Sequence, residues 1–258
     1  DGGAFLKQMN SLSQKLLENE NILEEGEFTT DNYKVSTWEN LHDNSKNLKK
    51  FKIIATNPPF GKGRDLKTGA KGKWDLPQKT IELYETYSIK RSPNANGVIK
   101  FPNSMDMGVL FLENAFKLLE EGGRMAIVLS NSIASISEWE NVRKWFIERM
   151  RIVGIFDLPA NTFGETGVAT TVIIAYKPKE NEKQLLKNNY EIFVKEIVNI
   201  GYEVKTIKRT IHFEPKYCID EDTFEKMDKL DEDFSILQEE WSNFLKKQEE
   251  EIKKAFNV

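Results

Sequence analysis

The strongest constraint on this chain is the tetrapeptide Asn57-Pro58-Pro59-Phe60, which directly follows the apolar run Phe51–Thr56. Two successive prolines cannot continue a central strand, because proline donates no hydrogen bond and fixes its own φ. The backbone there is predicted to be extended and exposed, with carbonyl groups available to a ligand. An amide oxygen and a neighbouring carbonyl can accept both hydrogens of an exocyclic amine, while the aromatic ring can stack on a planar base. The pattern therefore suits a site that acts on an amino group.

A simple strand-terminating turn would explain the same four residues, because Asn-Pro commonly initiates turns. The surrounding sequence favours the functional interpretation. A hydrophobic strand precedes the motif, and a basic, glycine-containing segment follows it. The cations of that segment, placed directly after the motif, are predicted to contact phosphate, although a solvated flexible loop remains the alternative. They are Lys62, Arg64, Lys67, Lys71 and Lys73.

Composition limits the class of protein. With 258 residues and 39% hydrophobic content, the chain can form one sizeable α/β domain with an appendage. No apolar run of about 18 residues and no leader sequence occurs, so we expect an intracellular, cytoplasmic protein without a membrane span. A single cysteine, Cys218, excludes an internal disulfide framework, and two scattered histidines predict no metal site. The net charge of −4 argues weakly against a stand-alone nucleic-acid binder, whereas the basic segment argues for one.

Helical and strand-like patterns alternate after residue 108. The last two predicted strands have no helix between them, so they are expected to pair antiparallel as a reversed hairpin. The apolar strand at 125–129 is continuous enough to be buried on both faces, as in a parallel sheet. The predicted elements are a helix at 110–119 stopped by Gly122-Gly123, a strand at 125–129, a helix at 137–150, and strands at 152–156 and Thr170–Tyr176.

These segments resemble the S-adenosylmethionine-dependent adenine-N6 DNA methyltransferases. The resemblance is carried by Asn57–Phe60, by Leu-Pro-x-x-x-Phe at 158–163 and by Thr-Gly-Val-x-Thr-Thr at 166–171. It covers about residues 50–202 and is closest to the modification subunit of type I restriction systems and its fused relatives. The resemblance implies an α/β, Rossmann-like class I methyltransferase sheet, S-adenosylmethionine as cofactor and double-stranded DNA as substrate. It also implies a specificity domain or subunit and a restriction subunit as partners.

The resemblance also assigns residues. Asn57, Pro58, Pro59 and Phe60 would form the catalytic motif, and Phe163 would be a second wall of the base pocket unless it only closes the core. Gly2-Gly3-Ala4-Phe5-Leu6 is similar to the tail of the family's glycine-rich cofactor motif, whose first half does not occur in this sequence. The predicted cofactor-binding residues are therefore Asp1, Gly2, Gly3, Phe5, Glu39 and Asn57.

Two domains are predicted. Residues 1–202 form an N-terminally incomplete methyltransferase domain, and residues 203–258 form an acidic, helical extension. Within that extension the sequence from Phe213 onward is expected to be helical, with Phe234, Leu237, Trp241 and Leu245 on an apolar face. Two other functions stay open. One is methylation of a protein glutamine amide or an RNA base, and the other is a non-catalytic DNA-binding or assembly module.

Overall fold

The computed structural model describes ten stretches of the chain. Several predicted residues lie outside the described residues, namely Asp1, Gly2, Gly3, Phe5, Glu39, Lys67, Lys71 and Lys73. The described residues are 42, 50–65, 82–89, 92–93, 99–100, 104–160, 162–164, 167–187, 189–207 and 209–256.

The described elements alternate between helices and strands in the first part of the chain and are mostly strands in the later part. The strands are β1 (Phe51–Thr56), β2 (Lys62–Asp65), β3 (Ser92–Pro93), β4 (Ile99–Lys100), β5 (Ser104–Asp106), β6 (Leu119–Ser130), β7 (Arg151–Leu158), β8 (Thr170–Tyr176), β9 (Phe193–Glu196), β10 (Tyr202–Ile207), β11 (Thr210–Pro215), β12 (Tyr217–Ile219) and β13 (Lys226–Leu230). The helices are α1 (Glu85–Ile89), α2 (Met107–Leu118), α3 (Asn131–Ser135), α4 (Glu140–Ile147) and α5 (Phe234–Phe256), with 3₁₀ turns at Ser137–Trp139 and Glu180–Leu186.

A five-stranded mixed sheet has the order β1-β6-β8-β7-β9. Strands β1 and β6 are parallel, with Ile54 opposite Met125, and β7 and β9 are parallel as well. Strand β8 runs the other way. Its end lies at the start of β6, because Gly122 N–H donates to the Lys177 carbonyl at 2.7 Å. Its start lies beside the end of β7, because the Thr171 hydroxyl donates to Asp157 Oδ1 at 2.6 Å. The predicted α/β fold with a reversed final hairpin is confirmed.

The described chain divides into two compact units. The first contains the described residues of Asp1–Val153 together with Ile173–Tyr190. Its core is built around α2, which is buried on nearly its whole circumference and packs against β6. A mostly apolar helix that is buried nearly all round belongs in the interior of a domain. The second unit contains Gly154–Val172 and the described residues from Glu191 onward.

Helix α2 ends at Leu118, four residues before Gly122, so the predicted glycine stop was wrong. Ammonium groups satisfy the last carbonyls of the helix instead. Lys177 Nζ donates to the Phe116 and Leu119 carbonyls at 3.0 and 2.8 Å, and Lys50 Nζ donates to the Lys117 carbonyl. Burial, reinforced by the charge of Lys50, lowers the pKa of Lys177 to about 8. Cations at a helix C-terminus replace the usual glycine cap because they bind the same free carbonyls.

A buried carboxylate connects α2 to α1. Glu113 is fully buried, and its two oxygens accept the backbone N–H groups of Glu85 and Thr86 at 3.0 and 2.9 Å. Burial raises the pKa of Glu113 despite these hydrogen bonds. His42 Nδ1 lies 3.6 Å from the same carboxylate, but burial, reinforced by the charge of Lys117, lowers the pKa of His42 to about 4. The imidazole is therefore neutral at pH 7, and the contact is not an ion pair.

In the second unit, helix α5 packs through aromatic rings. Trp241 lies edge-on to Phe156 of β7 at 5.3 Å and to Phe193 of β9 at 5.4 Å between ring centroids. Phe244 extends the cluster at 5.4 Å from Phe193. Aromatic pairs at these distances add stabilisation beyond their buried area. The predicted C-terminal helix is thus confirmed, but its predicted apolar face is only partly right, because Trp241 and Leu237 are half-buried whereas Phe234 and Leu245 are exposed. None of the helices that the structure describes is both long and apolar enough to cross a bilayer.

The predicted start of that helix was wrong, because the sequence between Phe213 and Leu230 forms strands. Strands β10 and β11 pair antiparallel from Tyr202 opposite Pro215 to Ile207 opposite Thr210, and β12 pairs with β13 in the same way. Residues 210–213 alternate in a period-two pattern that includes β-branched side chains, which favours a strand. Pro215 then prevents a helix from running through this region, so α5 begins only at Phe234.

The buried histidine predicts a specific dependence of stability on pH. The pKa of His42 is near 6.5 in the unfolded chain and about 4 in the folded protein. Between these values the unfolded state binds more protons, so acidification from pH 6.5 to 4 should destabilise the fold by roughly 3 kcal/mol through this residue. Above pH 6.5 the imidazole is neutral in both the folded and the unfolded state, so His42 does not lower the stability there. A His42→Leu variant should lose this contribution, as measured by urea unfolding at several pH values.

The raised pKa of Glu113 acts in the opposite direction, since the folded state then holds its proton more tightly than the unfolded state. Glu113 is present in both wild type and His42→Leu. The difference between their free energies of unfolding at each pH therefore reports the contribution of His42 alone. Parallel stability curves from pH 7 to 4 would contradict the assignment.

Candidate active site

The motif Asn57–Phe60 lies at the carboxyl end of β1, beside the parallel strand β6. Thr56 stands opposite Ile127, so the end of β1 and the end of β6 at Ser130 lie at the same edge of the sheet. In α/β sheets this carboxyl edge is where ligands bind. The two prolines end β1 at this edge, as the sequence predicted.

The four residues of the motif differ in exposure. Asn57 is exposed, and its side chain makes no hydrogen bond to any residue that the structure describes. Pro58 is buried, whereas Pro59 and Phe60 are half-buried. A buried proline anchors the corner while the preceding amide projects outward. The arrangement leaves a polar amide available to bind a partner next to an aromatic ring.

The chain after the motif is fixed to the start of α2. The Gly61 carbonyl accepts the Met107 N–H at 3.0 Å. Strand β2 then pairs antiparallel with β5, with Lys62 opposite Asp106 and Arg64 opposite Met105. The segment at 62–65, predicted to be part of a loop, is therefore a strand. Its pairing partner lies far along the chain, and local sequence carries no signal for such a contact.

Gly108, which sequence reasoning missed, allows α2 to begin close to this edge. A Cβ at this position would lie 2.9 Å from Ile133 Cδ1 and 3.2 Å from Leu129 Cδ2, both near the end of β6. It would also lie 3.1 Å from Asp106 Oδ1, which caps the helix by accepting the Gly108 N–H at 2.8 Å. The sequence indicates this close contact only through the glycine itself, because glycine is an unfavourable residue within a helix.

Polar groups at the same edge were also missed. Thr56 Oγ1 is buried and has no hydrogen-bond partner among the described residues. Buried hydroxyls are nearly always paired, so this one can accept a partner from a bound molecule or water. At the end of β6, the Ser130 and Ser132 hydroxyls lie 2.8 Å apart. A run of small polar residues directly after an apolar strand is the pattern that could have revealed them.

Of the predicted cofactor-binding residues, Asn57 is the one that the structure describes. The Thr56 hydroxyl, which has no partner in the part of the chain that the structure describes, and the exposed Asn57 amide supply neutral hydrogen-bonding groups. Such groups suit a cofactor held by shape and hydrogen bonds. No group of three or more His, Cys, Asp or Glu side chains within the described stretches is arranged to hold a metal ion.

Phe163 belongs to the second unit. It lies half-buried in the turn at 162–164, after the end of β7. The turn is tied to the chain on either side: the Thr162 hydroxyl donates to the Pro159 carbonyl at 2.7 Å, and the Tyr202 hydroxyl donates to the Thr162 carbonyl at 2.7 Å. A cavity of about 260 Å³ lies at the carboxyl ends of β7 and β9. It is lined by Pro159, Ala160, Val198, Tyr202, Val204 and Lys216, among others.

Comparison with known proteins assigns this chain to a family. The family model described as N-6 DNA Methylase matches residues 8–254, so the chain belongs to the N-6 DNA methylase family. The family resemblance inferred from the motifs is confirmed.

The individual relatives are distant. The adenine-specific methyltransferase BrxX of Escherichia coli O9:H4 (strain HS) is 26% identical over 131 residues, which cover 48% of this chain and 10% of BrxX. The methylase subunit of the type I restriction enzyme MpnII of Mycoplasma pneumoniae is 22% identical over 175 residues, covering 67% and 29% of the two chains. The chain thus spans less than a third of the length of these two curated relatives.

A solved structure shows the same order of similarity. The methyltransferase subunit of a type I restriction-modification system from Streptococcus thermophilus is 22% identical to this chain, with a TM-score of 0.39. The match covers 59% of this chain and 29% of that one.

Because neighbouring atoms lie so close to Gly108, adding one methyl group at this position should change the stability of the protein. Gly108→Ala should destabilise the protein by about 1–3 kcal/mol, because the added Cβ overpacks against Ile133 and displaces the Asp106 cap. Helix propensity alone would stabilise the variant by about 1 kcal/mol. Urea unfolding at pH 7 decides between the two effects, and a variant at least as stable as wild type would refute the packing interpretation.

Proposed function

We propose that this chain is the catalytic core of a DNA methyltransferase that transfers a methyl group from S-adenosylmethionine to the N6 amine of adenine, as part of a restriction-modification system. One observation carries the proposal: the exposed Asn57 amide lies at the carboxyl edge of a parallel strand pair, followed by two prolines and a half-buried Phe60. Membership of the N-6 DNA methylase family supports the same reaction.

The chemistry follows from the acceptor. The exocyclic amine of adenine is a weak nucleophile, since its lone pair is delocalised into the ring. The Asn57 side-chain oxygen and the Pro58 carbonyl would accept its two hydrogens and stabilise positive charge as the nitrogen becomes tetrahedral. No strong base is needed. S-adenosylmethionine, when bound, supplies an electrophilic methyl group with its own leaving group, so the chain's main task is alignment.

The target base has to leave the duplex, because its amine is not accessible in the required geometry inside the helix. Phe60 would stack on the extruded base and stabilise it by about 1–3 kcal/mol. Lys62 and Arg64, with Lys71 and Lys73, would contact the phosphate backbone and make binding depend on salt concentration. Asp1, Gly2, Gly3, Phe5 and Glu39 are proposed to complete the cofactor site.

The relatives suggest how the chain is used. Two of the proteins to which it is similar are methylase subunits of type I restriction systems. By analogy, we propose that a specificity domain or subunit reads the DNA sequence and that a restriction subunit joins the assembly. The 1–202 and 203–258 division is retained as a proposal for the catalytic domain and its extension. A cytoplasmic location follows from the proposed DNA substrate.

Removal of the Asn57 amide tests the reaction. Asn57→Ala should lower transfer of labelled methyl groups to DNA by about 100- to 1,000-fold, because an acceptor of the developing positive charge is lost. The folded protein should remain, since Asn57 is exposed. Asn243→Ala, which removes from α5 an exposed amide that bonds to none of the described residues, is the matched control and should keep full activity. Unchanged methylation by Asn57→Ala would refute the assigned role.

The same assay with RNA and with protein as acceptors tests the substrate class. Transfer to either of them in preference to DNA would overturn the proposed substrate, and absence of transfer to any acceptor would favour a non-catalytic module.

Removal of the Phe60 ring tests base stacking. Phe60→Ala should raise the KM for DNA by about 5- to 150-fold, the equivalent of about 1–3 kcal/mol, while the Kd for S-adenosylmethionine stays within about twofold of wild type. Phe224→Ala removes an 81% exposed ring from the β12–β13 turn and serves as the control. Calorimetric titration measures the cofactor, and a comparable loss of cofactor affinity would speak against stacking.

A further inference from the structure

We propose that the β10–β11 hairpin is a positioning element that fixes the turn carrying Phe163, so that this ring presents a stacking surface to a DNA base. The inference rests on the proposed function and extends it to residues outside the methyltransferase motifs. Its central members are Tyr202 on β10 and Phe213 on β11, two aromatic residues that both contact the turn.

The first contact is polar. The Tyr202 hydroxyl donates to the Thr162 carbonyl at 2.7 Å. The same threonine is already bound to Pro159, through its hydroxyl at 2.7 Å and its backbone N–H at 3.3 Å. Tyr202 therefore adds an attachment from a distant strand to a locally closed turn. The backbone of the residue directly before Phe163 is held from two directions.

The second contact is steric. A Cβ at Gly164 would lie 2.5 Å from Phe213 Cζ and 2.9 Å from its Cε1, so the ring rests against the glycine backbone. Ile211 Cγ2 would lie 3.1 Å away. The Tyr202 and Phe213 rings are themselves packed edge to face, with 5.5 Å between their centroids. The residues on both sides of Phe163 are thus in contact with this pair of edge-to-face rings.

The hairpin contributes little to a hydrophobic core of its own. Phe213 is 56% exposed and Ile207 is 48% exposed, and among the described strands β10 and β11 pair with each other alone. A two-stranded hairpin of this kind is marginally stable unless it packs on other structure. Its two aromatic side chains nevertheless contact one short turn. This arrangement is better suited to holding that turn than to burying apolar surface.

A fixed turn matters for binding because ordering a flexible aromatic side chain costs free energy. A ring whose backbone is already held loses less freedom when a base stacks on it. Loosening the turn should therefore weaken DNA binding without altering the reacting groups, which lie on a different part of the chain. Tyr202 and Phe213 are positioning residues in this proposal, since they act through Phe163.

The experiment uses the full-length protein and two duplexes containing the site that it methylates. One has adenine at the target position and serves for KM and kcat, and the other has 2-aminopurine there and serves for fluorescence. Tyr202→Phe keeps the ring and removes the hydrogen bond to Thr162. It should raise the KM for DNA about threefold to tenfold with kcat nearly unchanged, and reduce the change in 2-aminopurine fluorescence on binding. Tyr217→Phe makes the same chemical change on β12, where the hydroxyl bonds to none of the described residues, and should behave as wild type.

A double-mutant cycle tests the steric contact. Gly164→Ala should raise the KM for DNA about threefold to tenfold, because its methyl group meets the Phe213 ring. In a Phe213→Ala background the same substitution should have a much smaller effect, since the obstructing ring is gone. Additive effects of the two substitutions would overturn the steric part of the proposal. The melting temperature of each variant separates loss of folding from loss of positioning.

The outcomes also separate this inference from the proposed function. Phe163→Ala should show the largest increase in KM of the set. If Phe163→Ala is impaired while Tyr202→Phe equals wild type, the positioning role is wrong and the proposed reaction stands. If Phe163→Ala equals wild type, the inference is wrong, and the Asn57→Ala result decides the reaction by itself. A wild-type protein that transfers no methyl group to DNA adenine overturns both.

Discussion

The structure depends on how β1 ends. Two prolines cannot donate the next backbone hydrogen bonds of the sheet, so the strand ends at its carboxyl edge. The carbonyl groups of the Asn57–Phe60 motif directly beyond that point are not used in pairing with any described strand. The parallel partner β6 fixes where that edge is, through the register of Thr56 opposite Ile127. At this chain turn the side chain of Asn57 faces solvent, whereas Pro58 is buried. The Asn57 amide is thereby exposed, while the hydroxyl of the preceding Thr56 is buried without a hydrogen-bond partner among the described residues.

Helix α2 makes that corner stable. It is buried nearly all round, and its start is joined to the motif by the Gly61 carbonyl and to β6 through Gly108. Its far end is bound by lysine ammonium groups, and its middle carries Glu113, which caps α1. Buried charge and close contact of this kind tolerate little change, because a lost partner leaves a charge uncompensated or a cavity unfilled. The position of the Asn57–Phe60 motif is therefore fixed by the core around α2.

The second unit places a different demand on its residues. The Phe163 turn is short and contributes little buried surface, so its conformation depends on individual contacts rather than on a core. Tyr202 supplies a hydrogen bond and Phe213 a ring against Gly164. The aromatic cluster under α5, by contrast, stabilises the unit through packing of the half-buried Trp241 against Phe156 of β7 and Phe193 of β9. One set of aromatic residues builds the unit, and another holds a loop.

The sequence by itself determined the motif, the alternation of helices and strands from residue 107 to 176, the reversed hairpin and the family, because proline geometry and hydrophobic period are local properties. Only the tertiary structure decided the strand at 62–65, the lysine-bound end of α2, the hairpins before α5, and the contacts of Gly108 and Tyr202 with their neighbours. Except for the two hairpins, whose strands are neighbours in the chain, each of these joins residues that are far apart in the sequence. Such pairings depend on packing free energy in the folded state, for which a local pattern carries no signal.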